Sequence, residues 1–274
     1  MSGRGKADRA VVYPGLAVYV DAHSHLHLYQ DDEIAVVLED IADLGIVTVA
    51  VSLDVDSFLR TEEIARLSPL VIPAFGVHPW AAPEAVNSLD ALEPHLSRSP
   101  MIGEIGLDHR FVADGSLYES QRVVFEWFLS KAFEQNKLTS IHCAGAEQEA
   151  YDLIRVHGVS RVIIHWYSGP MDVLDQMIAY GAHFSVGVEV LHSDHIRAIA
   201  KSIPTRQLIT ETDNPGGPKE VGGEPGYPAL VVDVIEELAR IRLTTPSAMA
   251  RTVQDNWRSL VNDDPHIETR MRTR

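Results

Sequence analysis

The sequence predicts a single-domain α/β protein folded as a TIM-like (β/α)8 barrel. Two patterns lead there. Short apolar runs rich in β-branched residues alternate about eight times with segments of helical periodicity. A histidine or carboxylate closes run after run, and groups from the first and last strands can share one site only where those strands are neighbours, as in a closed barrel rather than an open sheet. A chain of 274 residues, 45% of them hydrophobic, is ample for a core of that size.

In chain order, strands are expected at Leu16–Asp21, Ile46–Ser52, Leu70–Gly76, Met101–Ile105, Leu138–His142, Val162–His165, His183–Val186 and Leu208–Thr212. Between them, apolar residues recur at spacings of three and four, the mark of amphipathic helices covering a sheet. Ile34, Val37, Leu38, Ile41 and Leu44 form one stripe over Glu33–Leu44. Val124, Phe128, Leu129 and Phe133 recur in Leu117–Gln135, and Val173–Tyr180 and Leu230–Ile241 behave alike. The Gly- and Pro-rich stretch Asn214–Pro228 follows the last strand and is expected to run over the site as a loop. The barrel is placed at residues 15–262. Residues 1–14 are expected to be a flexible N-terminal tail and residues 263–274 a C-terminal one.

Composition narrows the function. A formal net charge of −16 repels polyanions and argues against nonspecific adhesion to DNA, without excluding its cleavage, because local cations override the global field. One cysteine, Cys143, precludes an intrachain disulfide and reads as a small buried residue. No secretory apolar region and no run of membrane-spanning length occurs, so a cytoplasmic protein with no membrane partner and no obligate protein partner is expected. The chain contains no G-x-G-x-x-G, phosphate-binding P-loop or G-x-S-x-G elbow, so nucleotide-cofactor and serine-hydrolase chemistry are not indicated.

The strand ends carry the chemistry. In Asp21-Ala22-His23-Ser24-His25, side chains two apart on an extended chain point the same way, so His23 and His25 can face one ion with Asp21 one step deeper. Glu104, flanked by glycines and apolar residues in IGEIGLD, is costly to bury unless paired or metal-bound, and its two oxygens can bridge two cations. His142 in TSIHC and His165 in VIIHWYSG complete a second ion site with Glu104. Asp213, closing the last strand in LITETD, can ligate the first ion and accept a proton from an attacking water; Glu211, two residues earlier, is placed behind it. Imidazole and carboxylate together suit divalent ions such as Zn, Mn or Mg.

These blocks resemble the TatD family of metal-dependent hydrolases in the amidohydrolase superfamily. DAHSH is similar to the family's D-x-H-x-H, GVHP (Gly76–Pro79) to its G-x-H-P, and GEIGLD (Gly103–Asp108) to its most recognisable motif. IHC, HWYSG, ETDNP and the helix around Asn256 follow in the family's order. The resemblance implies a barrel with one or two divalent ions. His23, His25, Glu104 and Asp213 are expected to hold the first, and Glu104, His142 and His165 the second, with a metal-activated water as nucleophile and Asp213 as general base. Glu104 and Asp213 are thus the catalytic pair. His78, Arg110, Trp166 and Tyr167 are the expected substrate contacts, and Trp80 is a further aromatic near a strand end.

The sequence departs from the family pattern at Ala144, where the family has arginine, at His27, where it has a carboxylate, and at His109-Arg110 in place of its paired aromatics. The missing arginine removes a phosphate clamp that Arg110 can replace. The expected activity is phosphodiester hydrolysis of the deoxyribonuclease kind, with DNA as substrate. The alternative is hydrolysis of a small amide or ester at the same ions. A noncatalytic binding protein fits poorly with a complete ligand set.

Overall fold

The computed structural model describes residues 19–262 and 264–267. Eight parallel strands pair in sequence order: β1 (Tyr19–Ser24), β2 (Ile46–Val51), β3 (Val71–Phe75), β4 (Met101–Gly106), β5 (Thr139–His142), β6 (Val162–His165), β7 (His183–Val186) and β8 (Leu208–Thr210). The expected TIM-like barrel is observed, and each strand lies within a few residues of its expected place. The expected N-terminal tail, 1–14, lies outside the described residues, as do residues 16–18 of the first expected strand.

The last gap in the wall, between β8 and β1, is closed by side chains as well as backbone. Asp21 accepts hydrogen bonds from Thr212 N (2.9 Å) and Thr212 Oγ1 (2.6 Å), Thr210 Oγ1 donates to Val20 O, and Asp213 N donates to His23 O at 2.9 Å. Burial raises the Asp21 pKa to about 7 in spite of those Thr212 contacts. Asp21 is therefore the latch of the barrel rather than a group facing an ion.

Helices form where the stripe, the start and the stop agree. Asp31–Leu44 begins in a reciprocal cap between Gln30 and Glu33, buries Ile34, Val37 and Ile41, and ends at Gly45, whose φ of 63° turns the chain back into β2. Phe75 of β3 packs against Phe58 of the helix Val55–Ala65 (4.9 Å between ring centroids) and Phe128 of the helix Tyr118–Gln135 (5.8 Å). Each such ring contributes roughly 1.5–3 kcal/mol by leaving water. No helix among the described residues is long and apolar enough to cross a membrane.

The packed chain runs past the boundary expected at residue 262. Ile267 is fully buried, His266 Nε2 lies 3.0 Å from Gln135 O, and buried Asp264 pairs with Arg161 at 2.6 Å. Residues 264–267 of the stretch expected as a C-terminal tail thus pack against the barrel, with apolar Ile267 in a buried seat. Nearby, Lys137 enters β5 with its side chain buried and its ammonium donating to Leu96 O at 2.6 Å. Burial lowers its pKa from 10.5 to about 8, against the pull of Asp264 and Glu93. Between those two pH values the unfolded chain holds the proton that the folded chain has released, so this group makes stability rise with pH across that window and adds nothing further below it. Lys137→Met is expected to raise the melting temperature at pH 7.5, by up to ~3 kcal/mol of stability, and the gain over wild type should shrink by pH 10. Calorimetry at the two pH values checks this.

Candidate metal centre

The ligand-bearing ends of the strands converge on one mouth of the barrel. Two strands depart from regular register there: the β1–β2 pairing shifts between Asp21 and Ser24, and the β4–β5 pairing between Ile102 and Ile105. Such irregularities re-aim side chains, and here they fall at His23 and Glu104. Gly106 lets β4 approach β5: its φ is 148°, and a Cβ there would meet His142 O at 1.8 Å.

Glu104 is fully buried and its two oxygens face different partners. Oε2 lies 3.2 Å from His23 Nε2 and 3.4 Å from His25 Nε2. Oε1 lies 3.0 Å from His142 Nδ1, 3.5 Å from His165 Nε2 and 3.6 Å from His78 Nε2. Asp213 Oδ1 joins the first group, 3.2 Å from His25 Nε2 and 3.8 Å from His23 Nε2. Asp213 holds a left-handed φ of 55°, an uncommon conformation for a residue with a Cβ. Within this group His23 Nε2, Glu104 Oε2 and Asp213 Oδ1 are buried without any hydrogen-bond partner. Buried polar atoms rarely stay unsatisfied. Tetrahedral donors at ~2.1 Å from a divalent ion stand ~3.4 Å from one another, close to the separations found. The donor set therefore fits a cation.

Outer partners fix the imidazoles. Ser140 Oγ lies 3.0 Å from His23 Nδ1, Glu211 Oε2 3.1 Å from His165 Nδ1, and Asp108 Oδ2 3.3 Å from His142 Nε2. Each leaves the other ring nitrogen aimed inward, the arrangement by which proteins orient metal-binding histidines. Glu211 is itself held by Ser185 Oγ and by Trp166 N, at 2.5 and 2.8 Å. Asp108 and Ser140 were not assigned from the sequence. Ser140 carries a signal that was available: it stands two residues before His142 on β5 and so shares its face.

The charges are mutually dependent. Burial alone would raise the pKa of Glu104, yet the histidines around it, His23 first, hold it well below the ordinary value. Burial would lower the pKa of His25 and His142, but the carboxylates outweigh it: Asp213 and Glu104 lift His25 to about 10, and Asp108 and Glu104 lift His142 to about 9. Imidazoles that hold protons in the absence of a cation must give them up to bind one, so loading with metal at neutral pH releases protons.

The expected substrate contacts separate. His78 is buried, with Nδ1 accepting from Trp80 N at 3.2 Å; its neutral ring then carries the proton on Nε2, which lies 3.6 Å from Glu104 Oε1, beyond hydrogen-bond distance. Burial lowers its pKa to about 3 and keeps it neutral. Arg110, Trp166 and Asp213 line a pocket of about 90 Å³ with Phe111, Ala144 and Glu147. The Arg110 guanidinium is set by Ser168 Oγ at 2.8 Å and Glu147 at 3.4 Å. Its loop docks on the Ala144 segment, with His109 N donating to Ala144 O at 2.8 Å. Trp166 reaches this pocket with its indole wedged against Gly187 and Gly217. Tyr167 is not among the residues that line it: the ring is buried and its hydroxyl donates to Pro170 O at 2.6 Å. Trp166, with a left-handed φ of 43° just past the end of β6, lines this pocket, whereas Tyr167 does not. Asn256 also lies away from the site, donating to Thr205 O and Leu208 O at the entry to β8. The stretch after Asp213 contains a short helix, Gly217–Glu220, and Glu220 lines the pocket, so this segment does lie over the site.

Comparison with known proteins identifies the family and the fold. The family model described as TatD related DNase matches residues 20–262. An uncharacterized metal-dependent hydrolase of Methanocaldococcus jannaschii is 28% identical, over 82% of this chain and 89% of its own. The 3'-5' ssDNA/RNA exonuclease TatD of Yersinia pseudotuberculosis is 27% identical, over 75% of this chain and 84% of its own. Among solved structures, the TatD homologue YJJV of Escherichia coli K12 superposes with a TM-score of 0.77 at 20% identity, covering 89% of this chain and 98% of that one, a likeness of fold. The matched stretch reaches all eight strands and every candidate ligand position, and the chain belongs to the TatD related DNase family of metal-dependent hydrolases.

Proposed function

We propose that this protein hydrolyses phosphodiester bonds in DNA. The observation that carries the reading is Glu104, one buried carboxylate with an oxygen turned to each of two donor clusters. Two cations flanking one carboxylate suit the in-line displacement of a phosphodiester. His23, His25, Glu104 and Asp213 would hold the first ion, and Glu104, His142 and His165 the second; Zn, Mn and Mg all remain compatible with these donors. When bound, such ions lower the pKa of coordinated water to near neutrality and offset charge on the phosphoryl oxygens.

The chain's own groups do the rest. Asp213 takes the proton from the attacking water and returns it to the leaving oxygen. His78 presents Nε2–H to a substrate oxygen. Arg110 offers its remaining N–H donors to a non-bridging oxygen, in the manner expected of a guanidinium facing phosphate, and the indole of Trp166 borders the same space. The relatives support the substrate class, one being named an ssDNA/RNA exonuclease. A cytoplasmic location accords with the single buried cysteine.

The test is an assay of the purified protein with Mg²⁺, Mn²⁺ or Zn²⁺ on single-stranded DNA and on model esters and amides. DNA degradation is expected, and His142→Ala should reduce it by more than the ~10–100-fold typical of losing an outer partner. Turnover of small esters or amides alone, with DNA untouched, would move the chain to the alternative amide- or ester-hydrolase reading.

A further inference from the structure

Two large aromatic side chains stand open to solvent beside the donor cluster. Trp80 and Phe111 are each 56% exposed, although most rings of this size in the chain are packed away. One carboxylate ties the Trp80 side chain and the Phe111 backbone. Asp108, fully buried, accepts from Trp80 Nε1 through Oδ2 at 2.7 Å and from Phe111 N through Oδ1 at 2.8 Å, and the same Oδ2 faces His142. The Trp80 ring also packs edge-on against His78 at 4.6 Å between centroids. Its polar edge is thus satisfied and its orientation fixed, which leaves an apolar face exposed. Exposed aromatic faces of this kind are what unpaired bases stack on.

Charge points the same way. On the Trp80 side the mouth continues into a concavity of about 540 Å³ bordered by Asp54, Asp56 and Glu84, with no lysine or arginine among its lining residues. The pocket on the Phe111 side has the single cation Arg110 against Glu147 and Glu220. Neither flank can hold a strand by neutralising a row of phosphates. Away from Arg110 and the donor cluster, affinity for a nucleic acid then falls to its bases.

We propose that Trp80 and Phe111 form a stacking clamp, its Trp80 arm braced by Asp108, that takes an unpaired nucleobase next to the scissile bond. This deepens, and rests on, the phosphodiesterase reading above. The clamp requires a base whose face is free, a condition a duplex does not meet.

Binding to a fluorescein-labelled oligothymidylate with cleavage-resistant phosphorothioate linkages tests it, by anisotropy with manganese present. The same oligomer is prepared with abasic sites at its terminal positions. Wild type should lose about tenfold in affinity, or more, on the abasic oligomer. Phe111→Ala, which leaves the backbone bond to Asp108 in place, and Trp80→Ala should bind the intact oligomer more weakly and lose little further on the abasic one. Trp80→Phe, which keeps an aromatic face without the N–H, should retain most of the abasic penalty. An equal penalty in wild type and both alanine variants, or no binding by wild type, overturns the clamp. Binding with the expected pattern but no cleavage of ordinary DNA retires the phosphodiesterase reading instead.

Discussion

Glu104→Gln is expected to abolish the response to metal and to lower turnover by on the order of 10³-fold or more. The substitution keeps the size of the side chain and removes its charge, at the one position that faces both donor groups. An amide offers a single oxygen acceptor where the carboxylate offers two. It cannot serve His23 and His25 on one side and His142 and His165 on the other. Wild type should gain thermal stability when Mn²⁺ or Zn²⁺ is added, because binding to the folded state alone stabilises it by mass action. In the variant that gain should vanish. Melting curves with and without ion, alongside metal content by mass spectrometry, separate this from simple unfolding. A variant that binds two ions per chain and turns over normally would mean that Glu104 is only a buried acid in a histidine-rich pocket.

Asp213→Asn is expected to act differently. Asparagine keeps one oxygen near His25 and cannot accept a proton at neutral pH. Turnover should fall by roughly 10²–10⁴-fold, the range for loss of a general base, while ion binding at the cluster of His142, His165 and Glu104 persists. The pH profile should also change. In wild type the carboxylate is held below its ordinary pKa, with His25 the leading counterweight to burial, so it is ready as a base throughout the neutral range. A variant that retains full turnover and loses an ion would make Asp213 a ligand with no part in proton transfer.

Much of this site was legible before the fold was known, for a physical reason. In a parallel barrel every strand delivers its C-terminal end to one mouth. A polar residue closing an apolar run is therefore placed by topology alone, and His23, Glu104, His165 and Asp213 arrive together although they lie far apart in the chain. Helices were equally readable where stripe and stop agree, as at Asp31–Leu44 with Gly45 at its end. The sequence spoke less clearly at individual side chains. Tyr167 and Trp166 looked equivalent, yet Trp166 lines the pocket beside Asp213 while the Tyr167 ring is buried and its hydroxyl is taken by Pro170 O. Asp21 looked like a deeper neighbour of the ions, but the Thr212 amide and hydroxyl claim it, and no local pattern relates residues 191 positions apart. Asp108 was hidden because it follows its strand in a loop, where side-chain direction depends on turn geometry and not on a period.

The most direct test of the account is the anomalous diffraction of crystals grown with Mn²⁺ or Zn²⁺. Two peaks are predicted, one among His23, His25 and Asp213 and the other beside His142 and His165, with a different Glu104 oxygen at coordination distance, ~2.0–2.2 Å, from each. Peaks elsewhere in the molecule, or ions at this mouth that Glu104 does not touch, would contradict it.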